Sequence, residues 1–279
     1  MYVSLMNSSE HEIPLSKPVR RAWLDSDERS TVYRRGDVVL RDTGPWASSV
    51  HSFLRHLEPV GFEGAPKVVG GGIAEDGRET LSFIQDEVIN PTPWNTECIE
   101  TLGRMIRELH DASASFEYDE YMLWPPFFGR DLGGPDRIIS HCDIASWNVV
   151  SVDGLPAGLI DWEYVGPVDP LVELAQAGWL NIRLFSDDIA KAENLPPVEQ
   201  RAEHLRRFID AYGLATSDRK NFFNLIVDFV MCDTAYQADE AGITKNSDDP
   251  EPLWGLAWRA RSGAWLVRNR EIFERAIQD

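Results

Sequence analysis

An α+β fold, with a small strand-rich part over residues 1–89 and a larger, mostly helical part over 90–279, is predicted by three features of this sequence. Strand-like runs punctuated by glycine are concentrated before Ile89. Helical periodicity dominates after Asn90-Pro91-Thr92-Pro93. A short hairpin with Asp and Asn at its ends interrupts the helical part.

In the first part, Val19 to Leu24 gives a short possible strand. Thr31-Val32-Tyr33-Arg34 and Val38-Val39-Leu40-Arg41 flank Arg35-Gly36-Asp37, a glycine-containing turn of hairpin length. Ala47 to Leu57 carries Val50, Phe53, Leu54 and Leu57 at helical spacing. Val68-Val69 and Thr80-Leu81-Ser82-Phe83-Ile84 return to strand composition.

In the second part, Ile99, Leu102, Ile106 and Leu109 mark one face of a helix that Asn95 or Thr96 can cap. Proline and glycine pairs break regularity between Leu123 and Pro135. Val149 to Val152, the turn Asp153-Gly154 and Gly158-Leu159-Ile160 then read as a hairpin. Beyond Pro170, helical patterns run over about Val172–Leu184, Pro197–Tyr212, Ser217–Ala241 and Pro252–Ala276. Trp254, Trp258 and Trp265 share the last of these and read as core packing.

The chain has 279 residues, 43% hydrophobic and 26% charged, enough to bury a large core. With 27 basic and 46 acidic side chains the net charge is −19, which repels polyanions and disfavours nucleic acid as a partner. The acidic balance suits a cationic small molecule and equally suits solubility. Asp228, Asp233, Asp239 and Glu240 fall near one predicted helix and read as a solvated face. Cys98, Cys142 and Cys232 form no metal-binding or disulfide pattern, as in a reduced compartment. The start lacks a signal-peptide pattern, and no stretch approaches the roughly 18 apolar residues of a membrane span. A cytoplasmic protein with no membrane partner is expected.

The chemistry concentrates in His141-Cys142-Asp143-Ile144-Ala145-Ser146-Trp147-Asn148 and in Asp161, thirteen positions later. A hydroxyl attacking a γ-phosphate needs a carboxylate to take its proton, and Asp143 is the candidate base. Asn148 and Asp161 offer hard oxygen ligands suited to Mg²⁺ on nucleotide phosphates. The hairpin brings these two turns together. His141 reads as a residue that orients the loop. A metal-dependent hydrolase using His141 and Asp143 would need further histidines.

His141-x-Asp143-x-x-x-x-Asn148, Ile160-Asp161-Trp162-Glu163 and Gly166-Pro167-Val168-Asp169-Pro170, leading into Glu173-Leu174-Ala175, together resemble the aminoglycoside phosphotransferase and choline kinase superfamily. These small-molecule kinases have a fold similar to that of protein kinases. Weaker similarity reaches back through Leu102–His110 and Leu81–Ile84. The resemblance implies a protein-kinase-like two-lobed fold, with a small β-rich N-lobe and a larger mostly helical C-lobe. It implies ATP, with GTP as a second candidate, and Mg²⁺. It also implies transfer of the γ-phosphate to a hydroxyl of a small molecule, an aminoglycoside or other amino-bearing metabolite ranking first. Asp143 would be the base, with Asn148 and Asp161 the metal ligands. Backbone groups of Ser82, Phe83, Ile84 and Gln85 would face the adenine edge, and Asp169 and Glu173 would buttress the larger lobe.

The small lobe departs from the family pattern. Arg41 stands where many members carry a phosphate-binding lysine, keeping the charge but not the compact ammonium. His51 stands where that lysine's glutamate partner is expected, so the ion pair is expected to be absent. Asp25 to Ser30 replaces a glycine-rich loop with three acids and no glycine, a poor anion cradle. Cys142 occupies a position where glycine is common and reads as a buried space-filling thiol. These departures motivate a second reading, a catalytically impaired nucleotide-binding relative that acts as a binding module.

Overall fold

The computed structural model describes residues 13–14, 32–84, 87–88 and 93–278. The expected strand at Val19–Leu24, the acidic Asp25–Ser30 segment, Gln85 and the expected boundary after Ile89 lie outside the described residues.

The N-terminal lobe is a five-stranded antiparallel sheet in the order β1-β2-β3-β5-β4. Its strands are β1 (Ile13–Pro14), β2 (Tyr33–Arg35), β3 (Val38–Arg41), β4 (Val68–Ile73) and β5 (Glu79–Ser82). The turn between β2 and β3 is only Gly36-Asp37, and Gly36 takes a φ of +59°, as a tight hairpin turn requires. Helix α1 (Ala47–Leu57) buries Val50, Phe53, Leu54 and Leu57, the residues that share its apolar face. Phe53 reaches the other lobe, its ring 6.2 Å from that of Trp162.

The larger lobe opens with α2 (Thr96–Ser113), whose first turn is capped by the Asn95 side chain accepting from Cys98 N at 2.9 Å. Two small sheets follow. β7 (Ile138–Ser140) pairs with β10 (Gly166–Val168), and β8 (Val149–Val152) lies between β6 (Glu87–Val88) and β9 (Leu155–Leu159). The β8–β9 turn is Asp153-Gly154, both at positive φ (+51° and +81°), matching the twist of a two-residue hairpin. The register slips by one residue at Ala157, so Val149 faces Leu159 while Ser151 faces Pro156. That bulge sets Ile160 opposite Asn148, and Ile160 N donates to Asn148 O at 2.9 Å. Asp161 is thereby delivered one residue beyond the partner of Asn148.

Helices α3 (Pro170–Asn181), α4 (Asp187–Ala192), α5 (Val198–Tyr212), α6 (Thr216–Glu240), α7 (Pro250–Arg268) and α8 (Arg270–Gln278) complete the chain. α2 packs on α5, and α6 packs on α3, α7 and α8. Trp162, Trp179, Trp265, Phe208, Phe222, Phe223 and Phe229 are fully buried. The pattern over Pro252–Ala276 predicts one helix, but two form. Asn269 ends α7 by folding its side-chain Nδ2 onto Trp265 O at 2.9 Å, and its own carbonyl accepts from Ile272 N as α8 begins. The break lets Phe273 stack on Phe223 at 5.3 Å. Of the three tryptophans read as core, only Trp265 is fully buried, whereas Trp254 and Trp258 pack at the core's edge.

Candidate active site

The loop after β7 is held by hydrogen bonds that converge on Asp143. Cys142 adopts a φ of +64°, a left-handed conformation that explains why glycine suits this position. Burial pushes its thiol well above the ordinary value, as befits an inert filler. Asp143 O accepts from Ala145 N at 3.0 Å, and Ala145 O accepts from Asn148 N at 2.8 Å, which closes a tight turn. Asn148 Nδ2 then donates to Asp143 O at 2.9 Å and to Asp143 Oδ2 at 2.7 Å. The other carboxylate oxygen, Oδ1, accepts from Gln176 Nε2 of α3 at 3.2 Å. Both oxygens of Asp143 are oriented by neutral amides.

His141 is fully buried and ties the two turns together. Its Nδ1 accepts from Asp143 N at 3.2 Å and its Nε2 lies 2.9 Å from Ile160 O, a pairing that only the neutral Nε2–H tautomer satisfies. Burial lowers its pKa and keeps it in that form. The residue is an orienting group, as its position in the motif predicts.

Glu173, on α3, braces the same loop from beneath. Oε2 accepts from Ser140 Oγ at 2.6 Å and pairs with His110 Nε2 at 2.6 Å, while Oε1 accepts from Cys142 N. Burial raises the Glu173 carboxyl, but the His110, Ser140 and Cys142 bonds outweigh it and hold it below the usual carboxylate range. Asp169 caps α3 through Leu171 N at 2.8 Å and accepts from Gly134 N at 2.6 Å. Both acids are structural, as expected.

Asp161 also has a left-handed φ, +64°, and its Oδ1 lies 3.1 Å from Arg41 NH1 of β3. Arg41 Nε donates to Glu79 Oε2, and Glu79 Oε1 meets His51 Nε2 of α1 at 2.8 Å. The helix supplies no acid for this pair, as expected, yet Arg41 does not lack one. The pair exists, but its acid comes from the neighbouring strand β5 rather than from the helix, and His51 is its third member. Burial lowers the pKa of Arg41, but the Glu79 and Asp161 charges and the Glu79 hydrogen bond outweigh it and raise that pKa overall. Burial raises the pKa of Glu79, while the Arg41 charge, assisted by hydrogen bonds from His51 and Arg41, lowers it overall. Glu79 was missed in the sequence because it heads an otherwise unremarkable strand; only its register opposite Arg41 exposes the pairing.

The residues expected at the adenine edge are less available than predicted. Ser82 N donates to Lys67 O at 2.7 Å and Phe83 N to Asp37 O at 2.8 Å, because β5 is an interior strand and the β2–β3 turn folds over its end. Those two donors are spent within the lobe, and Ile84 N donates to no backbone carbonyl among the described residues. Asp233 also departs from the solvated face expected of it: it is buried and paired with Arg259 Nε at 2.7 Å.

A divalent ion finds suitable donors here. Asn148 turns its Nδ2 toward Asp143, so its Oδ1 faces away and meets no donor among the described residues. Asp161 Oδ2 likewise accepts no hydrogen bond among the described residues. One amide oxygen and one carboxylate suit Mg²⁺, which keeps waters and phosphate oxygens in its other positions. Among the described residues no cluster of three or more His, Cys, Asp or Glu could hold a metal. No helix among the described residues is long and apolar enough to cross a membrane.

Residues 123–215, which include the loop, the hairpin and α3, match the model of the phosphotransferase enzyme family. The trifolitoxin immunity protein of Rhizobium leguminosarum bv. trifolii is 50% identical over 249 residues, covering 89% of this chain and 95% of that protein. The fold is similar to that of the amicoumacin kinase hAmiN, solved with AMP-PNP, Ca²⁺ and Ami. That match has a TM-score of 0.65 and 12% identity, over 86% of this chain and 87% of the other. It is similar also to a choline/ethanolamine kinase family protein from Mesorhizobium loti, with a TM-score of 0.55 and 16% identity over 89% of each chain. The two-lobed architecture is thus protein-kinase-like. With half its positions identical over nearly the whole of both proteins, the chain belongs to the family of the trifolitoxin immunity protein, and within its protein-kinase-like fold residues 123–215 carry the match to the phosphotransferase enzyme family.

Proposed function

We propose that this protein is an ATP- and Mg²⁺-dependent phosphotransferase that moves the γ-phosphate to a hydroxyl of a small molecule, and that the acceptor is a toxin it inactivates. The observation that carries the reading is Asp143, its two carboxylate oxygens held by Asn148 and Gln176 at 2.7 and 3.2 Å, one turn from Asp161. Mg²⁺ bound by Asn148 Oδ1 and Asp161 would neutralise phosphate charge. Asp143 takes the proton of the attacking hydroxyl, and the orienting amides keep its carboxylate in line. Arg41 adds a fixed positive charge beside Asp161 for the phosphates. The 50% identical relative's name, an immunity protein, supports a toxin as acceptor. The net charge of −19 suits a cationic one, such as an aminoglycoside or another amino-bearing compound. GTP is the alternative donor.

One observation favours a second reading, protection by binding alone: Arg41 occupies Asp161 directly, a contact that a metal would have to share. A product-mass screen separates the two. The purified protein is incubated with MgATP or MgGTP and a panel of trifolitoxin, aminoglycosides and amino alcohols. The kinase reading expects one compound to gain a phosphoryl group in step with nucleotide diphosphate release. Tight toxin binding with no phosphorylated product and no nucleotide consumption would favour the binding module.

A further inference from the structure

We infer that Glu79 and His51 are positioning residues that aim Arg41 at nucleotide phosphates, with the anchoring acid moved from the helix into the sheet. The inference rests on the kinase reading above and deepens it. Arg41 and Glu79 are direct cross-strand partners in the β3–β5 register, so their side chains share one face of the sheet. Glu79 takes the Nε edge of the guanidinium, which leaves the terminal nitrogens facing the large lobe, where NH1 meets Asp161. A guanidinium is a planar fork, so holding one edge fixes the direction of the other.

His51 completes the arrangement by a route that the backbone must permit. A Cβ built on Gly72 of β4 would lie 2.5 Å from His51 Nδ1, and Gly72 has a φ of +88°. The missing side chain is what lets the imidazole slide beneath the sheet to Glu79 Oε1. Glu79 and His51 are both buried, and each Glu79 carboxylate oxygen has its own partner, Arg41 on one and His51 on the other. The consequence differs from that of a pair shared between strand and helix. A pair between neighbouring strands takes its acid from the sheet, and among the described residues α1 reaches it through His51.

Calorimetry with MgAMP-PNP and with adenosine tests this on wild-type protein, Glu79→Gln, Glu79→Asp, Arg41→Gln and the double variant Arg41→Gln/Glu79→Gln. Glu79→Gln is expected to weaken MgAMP-PNP binding about tenfold or more while leaving adenosine affinity unchanged. Glu79→Asp should recover part of the loss, and Glu79→Gln should cost nothing further once Arg41 is Gln. His51→Ala should weaken MgAMP-PNP binding by a smaller factor than Glu79→Gln. Equal losses for MgAMP-PNP and adenosine would overturn the inference by showing a merely structural role. A full Glu79→Gln loss in the Arg41→Gln background would do the same. Wild-type protein that binds no MgAMP-PNP would overturn the kinase reading and this inference with it, whereas wild-type binding that Glu79→Gln leaves unchanged would overturn the inference alone.

Discussion

Asp161 carries two demands at once, a left-handed backbone at φ +64° and a carboxylate shared with Arg41. Its removal therefore has a signed consequence. Asp161→Ala should weaken MgATP binding by about tenfold or more, the scale of one charge-assisted contact. Binding of ATP without metal should not fall, because Arg41 NH1 loses a competitor for phosphate. Asn148→Ala should move the same way by less, since a neutral amide supplies less charge. Calorimetry with and without Mg²⁺ checks this, and equal losses in both conditions would leave Asp161 a structural residue. At this scale the sequence singled out Asp143, Asn148, Asp161 and Arg41 by residue type, and hydrogen bonds join Asp143 to Asn148, Asn148 to Ile160 beside Asp161, and Asp161 to Arg41. It was a poor guide where a role depends on a neighbour from another element. Gln176 lies 33 positions from Asp143 yet holds one of its oxygens, and its only signal was a place on the face of α3 that also carries Glu173.

Local patterns decide which elements were legible. The β8–β9 hairpin could be read because Asp153-Gly154 satisfies the turn by itself, and α1 and α2 because their apolar faces repeat at helical spacing. The bulge at Ala157, the two-residue β6 and the six-residue α4 carry too little pattern to show. The α7–α8 break was hidden because Asn269 interrupts a run whose apolar residues continue on both sides. The brace beneath the loop makes a testable link between α3 and pH. Glu173 is held below its unfolded value, so the stability it supplies is complete above about pH 4.3 and is lost as pH falls through its lower folded value. Glu173→Gln should cost about 1–3 kcal/mol at neutral pH, because His110, Ser140 and Cys142 lose a charged acceptor. The gap between wild type and variant should narrow on acidification. Urea unfolding at neutral pH and near pH 3 measures it, and a gap that stays constant would contradict the ionised brace.

Across the whole molecule, the small lobe supplies a charged strand and the large lobe a loop and hairpin, with Arg41 to Asp161 and Phe53 to Trp162 as contacts between them. The two-lobed arrangement was legible through the family resemblance, alongside a sequence pattern that passes from strand-rich to helical. The nature of the small lobe's ion pair was not, because its acid and base became neighbours only through strand register. In the proposed reaction Asp143 accepts the acceptor's proton during transfer from MgATP. Single-turnover transfer from γ-labelled ATP to the acceptor found by the mass screen tests it most directly, in wild-type protein and in Asp143→Asn. Labelled acceptor is expected in wild type, with a fall of about 10²–10⁴ in the rate for Asp143→Asn and nearly unchanged MgATP affinity. Transfer by Asp143→Asn at the wild-type rate would contradict it.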